Sequence, residues 1–325
     1  MPELTPHLGA QIQLPSELVK PVIFPHEETI VVKDLPTQVI LATTTLYQDL
    51  SNPSHKLRAD LAYQMMQKAT QRGYQVIVND DQSNQEWRNK IKEMNGVILI
   101  DRNIADYNGE HNLGRSRRQC LDFAANYGRH KVIVWLEPEK HTFIWNDQLK
   151  RSPLSQFSSV VYDERASIAI PQRKDNLEGY PLQQQLAELT GNMTLFDLIR
   201  DYVSKKSGIE AANNIPYLDY WIGPRAISKD SIDAFLQYNG RVNGQKHDRW
   251  ESIFNPIISE ILAGKVVRGV AVDYQHPLEQ SRLEAADLSF SRKRLDQLVT
   301  IVAGVDNLLK EHQQKGLKIT IAPFH

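Results

Sequence analysis

The stretch that decides the fold is Lys131-Val-Ile-Val-Trp-Leu-Glu-Pro-Glu139. Its run of apolar residues predicts a strand that is buried on both faces, as strands of parallel sheets are. Two carboxylates follow at once, and side chains two residues apart in an extended segment project the same way. Glu137 and Glu139 can therefore face one divalent cation, and hard oxygen ligands suit Mg²⁺ or Mn²⁺. The alternative interpretation is a solvated turn that contains a proline.

The segments before this strand alternate between two hydrophobic patterns. Apolar residues recur every three to four positions in the predicted helices and form short continuous runs in the predicted strands. The order is strand 39–45, helix 55–72, strand 74–78, helix 84–94, strand 96–100, helix 114–127 and strand 131–136. This repetition indicates βαβ units, and hence an α/β fold with a mostly parallel sheet flanked by helices. Ligands of such sheets bind beyond the carboxyl ends of the strands, where the strand order reverses.

The chain divides into three regions by composition. Residues 1–36 contain six prolines, which remove backbone donors from a sheet, and they predict an extended leader. Residues 37–172 carry the alternating pattern, and residues 173–325 contain longer helices. Because no Gly/Ser linker separates these two regions, we expect the C-terminal region to pack on the same sheet. Its predicted elements are helices 182–189, 195–205, 250–262 and 292–312 and a strand at 266–274.

The overall composition disfavours several classes of protein. Lys plus Arg total 38 and Asp plus Glu 39, so the chain lacks the basic excess that is typical of nucleic-acid binding. The mean hydropathy is −0.45, and no apolar run approaches the roughly 20 residues of a membrane span. The first residues do not resemble a signal peptide, and the single Cys120 cannot form an internal disulfide. We therefore expect a soluble protein of the reducing cytoplasm.

Polar side chains also follow the first two predicted strands. The carboxylates of Asp80 and Asp81 can accept hydrogen bonds from a ribose hydroxyl or a base N–H. Alternatively, Asp81 or Ser83 caps the next helix. The hydroxyls of Thr43 and Thr45 either contact a ligand or end their strand. These residues and the two glutamates are predicted to share one rim of the sheet.

A basic segment, Gly114-Arg-Ser-Arg-Arg118, begins the helix that precedes the deciding strand. The free N–H groups and the dipole at a helix N-terminus favour an anion. Arg115, Arg117 and Arg118 add charge-assisted donors for a phosphate, and Lys140 adds a fourth cation on the same rim. Each arginine is also compatible with an exposed basic helix face.

Taken in order, these features resemble the GT-A-fold nucleotide-diphospho-sugar glycosyltransferases of the family 2 type. Residues 40–46 resemble the first strand and its polar loop, and Val76–Ser83 resembles the family's V-V-D-D-G-S. Gly114–Gln119 resembles G-x-x-x-A-R-N, and Val132–Glu139 resembles the strand that ends in a metal-binding D-x-D. The resemblance covers residues 38–170. It implies a GT-A-like sheet with a helical acceptor-side region at its C-terminus.

The resemblance implies a role for each rim residue. A nucleotide-diphosphate sugar is expected to bind through the strand ends and the basic segment, that is, through Thr43, Thr45, Asp80, Asp81, Arg115, Arg117, Arg118 and Lys140. Mg²⁺ or Mn²⁺ is expected on Glu137 and Glu139, and the family often completes this shell with a late histidine, here His276. The alternative for His276 is a structural role in the core.

The resemblance also implies an acceptor side. Asp248 and Glu251 match its acidic element, which acts as a base in inverting enzymes. Alternatively, these two residues form a helix capping box. Trp221, Arg225 and Trp250 are expected to contact the acceptor, or Trp221 packs in the core. The C-terminal half is similar to that of retaining synthases that act on glycerate-type acceptors.

Two functional hypotheses follow. The first is a metal-dependent glycosyltransferase that moves a hexose from a UDP- or GDP-sugar to a small hydrophilic acceptor. The second is a catalytically silent GT-A-like binding or scaffold protein. It is motivated by Glu137-Pro-Glu139 in place of D-x-D, by Gln82 in place of a glycine and by Gln119 in place of an asparagine. A nucleotidyltransferase is disfavoured because no Gly-rich phosphate loop follows the first strand, and Walker and G-x-G-x-x-G motifs are absent.

Overall fold

The computed structural model describes residues 35–101, 112–174, 177 and 179–323. The predicted leader at residues 1–36 lies outside the described residues except for its last two. The strands are β1 (Val39–Thr45), β2 (Gln75–Asp80), β3 (Val97–Asp101), β4 (Val132–Trp135), β5 (Ile168–Arg173), β6 (Arg225–Ser228), β7 (Arg241–Val242), β8 (Gln245–Lys246) and β9 (Val267–Val272). Strands β7 and β8 form a separate small hairpin.

The other seven strands form one sheet in the order β3-β2-β1-β4-β6-β5-β9. All of its pairings are parallel except those of β6, which is antiparallel to both β4 and β5. The predicted fold class, a mostly parallel α/β sheet flanked by helices, is confirmed. Strand β6 was not predicted from the sequence. It is only four residues long and shows no distinctive pattern, and its place in the sheet comes from pairing with distant strands.

The strand order reverses at β1. This strand pairs with β2 on one side and with β4 on the other, although β2 and β3 precede β4 in the chain. Val39 to Ala42 of β1 and all of β4 are buried, as expected for central strands that are covered by helices on both faces. The carboxyl ends of β1 and β4 therefore flank the position where parallel sheets bind ligands.

The helices of the described residues lie around this sheet. They are α1 (Pro53–Gln71), α2 (Gln85–Lys92), α3 (Leu113–Asn126), α4 (His141–Ile144), α5 (Pro153–Tyr162), α6 (Leu182–Ser207), α7 (Ile209–Asn213), α8 (Ile232–Leu236), α9 (Asn255–Leu262), α10 (Leu278–Ala286) and α11 (Leu288–Gln314). None of those that were searched has the length and apolarity needed to cross a lipid bilayer.

One continuous helix, α6, replaces the two helices predicted at 182–189 and 195–205. Gly191 and Asn192 lie between the two predicted segments. They do not end the helix, because both residues make tertiary contacts from within it. A Cβ on Gly191 would lie 2.4 Å from the ring of Trp221, so only glycine allows this close approach. The Asn192 side chain binds Asp219 and the backbone N–H of Tyr220.

Two further predictions of local structure were wrong. The helix predicted at 250–262 begins only at Asn255, and Trp250–Ile253 form a 3-10 turn before it. The cap of α2 is Asn84, whose side chain accepts from the N–H of Glu86, in place of Asp81 or Ser83. The side chains of Asp81 and Ser83 are buried, and that of Ser83 accepts a hydrogen bond from the backbone N–H of Tyr47.

Candidate active site

A cavity of about 500 Å³ lies beyond the carboxyl ends of β1 and β4. This volume is in the usual range for small-molecule sites. The predicted site residues that line it are Thr45, Asp81, Arg117, Glu137, Glu139, Lys140, Trp221, Trp250 and His276. The predicted site residues outside its lining are Thr43, Asp80, Arg115, Arg118, Arg225, Asp248 and Glu251. The structure therefore brings together the strand-end residues other than Thr43 and Asp80, and it separates most of the basic segment and the acidic pair from them.

Asp80 and Asp81 have different surroundings. Asp80 is buried, accepts hydrogen bonds from Thr45 Oγ1 at 2.8 Å and from the Ser83 N–H at 3.0 Å, and is paired with Arg88 at 3.0 Å. It thus organises the loop after β2. Asp81 lines the cavity next to Thr45, so it is the carboxylate of this pair that a ligand in the cavity can reach.

Glu137 projects into the cavity against Gly223. A Cβ on Gly223 would lie 1.8 to 2.0 Å from the Glu137 carboxylate, and Gly223 has a φ of +92°. Only glycine satisfies both conditions. The buried Oε2 atom of Glu137 has no hydrogen-bond partner among the described residues. Burial raises the pKa of the Glu137 carboxyl, against the opposing charges of Lys140, Arg225 and Arg117.

The Glu139 carboxylate is hydrogen-bonded to a tyrosine. Its Oε1 atom accepts a hydrogen bond of 3.0 Å from the hydroxyl of Tyr47. Tyr47 is itself buried, and its ring packs edge-on against Trp87 with 5.1 Å between the centroids. This contact joins the loop after β1 to the loop after β4.

His276 is also enclosed by protein groups. Its ring stacks on Tyr180 with 4.1 Å between the centroids, and Nδ1 lies 3.3 Å from the hydroxyl of Tyr274. Its Nε2 atom lies 3.5 Å from Glu284 Oε2. Burial lowers the pKa of His276, although Glu284 opposes this shift. Burial disfavours the ionised form of Glu284, but His276, Gln280 and nearby positive charge outweigh burial and lower the pKa of Glu284 to about 2.

The three predicted metal ligands, Glu137, Glu139 and His276, do not assemble into a metal site. Glu139 is bound to Tyr47, and the ring of His276 is directed at Glu284. Within the part of the chain that the structure describes, no three His, Cys, Asp or Glu side chains are grouped so as to hold a metal ion. The residues that are present therefore do not fit Mg²⁺ or Mn²⁺ in the predicted way.

The start of α3, predicted to bind an anion, is occupied by Asp248. The Gly114 N–H donates to the backbone carbonyl of Asp248 at 3.0 Å, and the cap residue Asn112 accepts from the Arg115 N–H. The Asp248 carboxylate accepts two bonds from Arg118, at 2.5 and 2.9 Å, and one from Asn112 at 2.8 Å. The N–H groups of this helix end and Arg118 are thus used within the protein.

Asp248 consequently anchors the loop that carries Arg249 and Trp250. The proposed capping box is not formed, because Asp248 faces Arg118 and the residue before the turn, Arg249, has no side-chain cap. Glu251 accepts from the Arg249 N–H at 3.1 Å and lies 3.7 Å from Nδ1 of His247. Both carboxylates lie outside the cavity.

Arg117 and Arg225 are buried cations at the base of the site. Arg117 lines the cavity, and its NH1 donates to the carbonyl of Arg249 and to Ser252 Oγ. Arg225 is fully buried and binds the carbonyls of Tyr220 and Pro224. Burial lowers the pKa of each arginine to about 10, against the opposing charge of Glu137.

Two tryptophans form an aromatic wall. Trp221 is 7% exposed and packs edge-on against Phe254, with 5.4 Å between the centroids. Trp250 is more accessible, and the guanidinium of Arg249 lies 4.1 Å from its ring centroid. Trp221 packs in the core, as one interpretation predicted, and it also lines the cavity. Its contact with an acceptor stays a prediction.

The lining contains a second set of charged residues that was not predicted from the sequence. They come from α1, α6, α10 and α11 and are Arg58, Glu188, Glu284, Lys293 and Arg294. On a helix, isolated charges are indistinguishable from those of a solvated face, so no local pattern reveals them. Arg58, Lys293 and Arg294 are called the basic cluster below.

No protein-family model matches the chain, and no curated protein matches it. One similar solved structure is glucosyl-3-phosphoglycerate synthase from Mycobacterium tuberculosis in complex with Mn²⁺, UDP and glucosyl-3-phosphoglycerate. It has 9% identity and a TM-score of 0.48, and the match covers 86% of this chain and 87% of that one. Another is mannosyl-3-phosphoglycerate synthase from Rubrobacter xylanophilus, with 10% identity, a TM-score of 0.41 and coverages of 80% and 75%. Both TM-scores lie below 0.5, and the proposed function therefore rests on the side chains described above.

Proposed function

We propose that this protein is a glycosyltransferase that moves a hexose from a nucleotide-diphosphate sugar to a small hydrophilic acceptor. The observation that carries the proposal is the cavity beyond β1 and β4. It combines a carboxylate for the nucleoside, cations for a diphosphate, aromatic rings for a sugar and a carboxylate with one oxygen that has no hydrogen-bond partner among the described residues. Asp81, Lys140, Trp250 and Glu137 supply these four features.

Each feature has a chemical role in the proposed reaction. Asp81 and Thr45 bind the nucleoside, and Arg117 and Lys140 stabilise the negative charge that develops on the leaving diphosphate. Trp221 and Trp250 offer apolar faces to the sugar rings.

Glu137 is the proposed base of this reaction. Its Oε2 atom has no hydrogen-bond partner among the described residues and lies 3.8 Å from Nζ of Lys140. This atom accepts the proton of the acceptor hydroxyl while the sugar's bond to the diphosphate breaks and the new glycosidic bond forms. The raised pKa of Glu137 suits this role, because a carboxylate in a desolvated site binds a proton more readily. Asp248 and Glu251 take no part, since both lie outside the cavity. The predicted metal ligands do not assemble, so no step of the proposed reaction runs through a metal.

Calorimetry with UDP, GDP and their glucose and mannose derivatives, each with and without Mn²⁺, tests the donor class. We expect at least one of them to bind. A folded sample that binds none of them contradicts the proposal.

Turnover of the bound donor then separates the enzyme from a silent binding protein. We expect Glu137→Gln to lower kcat by about 100-fold or more and to leave donor affinity within a few-fold of wild type. Exposed Glu279, on α10 and outside the cavity lining, provides the matched control Glu279→Gln. Donor binding without turnover on any small hydroxylated acceptor supports the scaffold hypothesis instead.

A further inference from the structure

The basic cluster borders the proposed donor site. Arg58 projects from α1, and Lys293 and Arg294 project from α11; all three line the cavity. The charge of Glu139 acts on Arg58 and Lys293, and that of Tyr47 acts on Arg58. The hydrogen bond between Tyr47 and Glu139 joins the loop after β1 to the loop after β4. The cluster therefore lies at the reversal of strand order, where a nucleotide is expected.

The carboxylates that face the cluster pair with two of its cations, Arg58 and Arg294, or bind other protein groups. Glu284 lies 3.3 Å from Arg58 and also accepts from Gln280. Glu188 binds Arg173 at 2.7 Å and lies 3.7 Å from Arg294. Glu139 accepts from Tyr47.

Lys293 is the one cation of the basic cluster that has no carboxylate partner among the described residues. Within the described part of the chain its ammonium has no ion pair and no hydrogen bond, and it stands beside two guanidinium groups. Desolvation in the cavity, together with the charges of Arg58 and Arg294, lowers the pKa of Lys293 to about 8. Lys293 is exposed to solvent on α11 and also lines the cavity. A ligand that enters the cavity from solvent can therefore contact its ammonium. A polyanion relieves the repulsion within the cluster.

Within the described residues, the carboxylates and histidines of this region do not form a group of three that could hold a metal ion. Where a metal was predicted, Glu139 binds a tyrosine and His276 faces Glu284. We infer that the cavity binds the diphosphate of its nucleotide without a divalent metal, with Lys293, Arg58 and Arg294 as the counter-charges. This inference rests on the proposed function and deepens it.

Calorimetric titration of the full chain with UDP and GDP, in EDTA and separately in Mn²⁺, tests the inference. We expect the better of the two nucleotides to bind in EDTA with a Kd within about threefold of its Kd in Mn²⁺. Binding that appears only with Mn²⁺ overturns the inference and leaves the proposed donor class intact. Absence of binding under both conditions contradicts the inference and the proposed function together.

A pair of adjacent variants locates the diphosphate contact. Lys293→Gln removes one charge-assisted contact, so we expect its Kd for the nucleoside diphosphate in EDTA to rise about tenfold or more. Arg292→Gln is the matched control, because Arg292 is exposed on the same helix and lies outside the cavity lining. Its affinity is expected to equal that of wild type. Thermal unfolding of each variant verifies that it is folded.

The parent nucleoside separates contacts to phosphate from contacts to the base and ribose. If Lys293 binds the diphosphate, Lys293→Gln lowers the affinity for UDP or GDP and leaves the affinity for uridine or guanosine unchanged. The assignment is overturned if Lys293→Gln leaves the Kd for the nucleoside diphosphate unchanged. It is also overturned if the variant loses affinity for the nucleoside by the same factor as for the diphosphate.

Discussion

At the scale of single residues, the position of the Glu137 carboxylate depends on a glycine. Gly223 has a positive φ and lies directly under the carboxylate, so Gly223→Ala combines backbone strain with a steric overlap. We expect the free energy of unfolding to fall by about 2–4 kcal/mol. Urea denaturation measures this change.

Gly244→Ala is the matched control for Gly223→Ala. Gly244 has a φ of +76°, and a Cβ on it would meet no other atom within 4 Å. The variant therefore isolates the backbone cost, about 1 kcal/mol. Equal losses of stability in the two variants would show that Glu137 is not held against Gly223.

Lys293 makes the affinity for a diphosphate depend on pH. Its pKa of about 8 means that the free protein loses this positive charge as the pH rises through 8. A bound anion favours the protonated form, so affinity is greatest below that pH and declines above it. Between pH 7 and 9 we expect the Kd of the nucleotide in EDTA to rise about fivefold.

Lys293→Arg supplies the control for this pH profile, because a guanidinium stays protonated throughout the range. Its Kd is expected to stay nearly constant between pH 7 and 9. If both proteins show the same profile, another group is responsible for the pH dependence.

At the scale of secondary-structure elements, the start of α3 is joined to the loop before α9 through Asp248. Gly114 and Gly240 leave space for its carboxylate, since a Cβ on either would lie 2.0 to 2.3 Å from Asp248 side-chain atoms. Asp248→Ala leaves Arg118 without its buried partner. We expect the free energy of unfolding to fall by about 2–4 kcal/mol.

A double-mutant cycle with Arg118→Gln checks that this loss comes from the pair. The two changes are expected to be non-additive by about 1 kcal/mol or more. Were Asp248→Ala to abolish turnover and leave stability unchanged, Asp248 would instead be the catalytic base that the family resemblance implies.

At the scale of the whole molecule, the C-terminal half completes the sheet. Strand β6 lies between β4 and β5, and β9 pairs with the other edge of β5. A chain that ends at residue 172, the predicted domain boundary, leaves β5 without a neighbour in the sheet and exposes the edge of β4.

We therefore expect the fragment of residues 1–172 to show no cooperative unfolding transition, whereas the full chain unfolds cooperatively. Circular dichroism during thermal and urea denaturation compares the two. A fragment with a sharp transition would show that residues 37–172 fold as an independent domain.

The sequence by itself determined the parallel core and its polar rim. The apolar runs at β1, β2 and β4 and the helical periods between them are local signals, and βαβ connections leave few arrangements for such strands. The carboxylates after β4 and Asp81 after β2 were predictable for the same reason, because the carboxyl ends of parallel strands meet at one edge. Gln82, which occupies a glycine position of the family pattern, does adopt a positive φ of 68°.

Only the tertiary structure decided how those residues are used. It placed Asp248 against Arg118, bound Glu139 to Tyr47, inserted β6 beside β4 and brought Arg58 and Lys293 to the same cavity from helices 235 positions apart in the chain. Hydrogen bonding and ion pairing act through space, and an isolated charged residue on a helix carries no record of its partner. The strand pattern therefore located the site, whereas contacts between distant segments determined which groups remain available to a ligand.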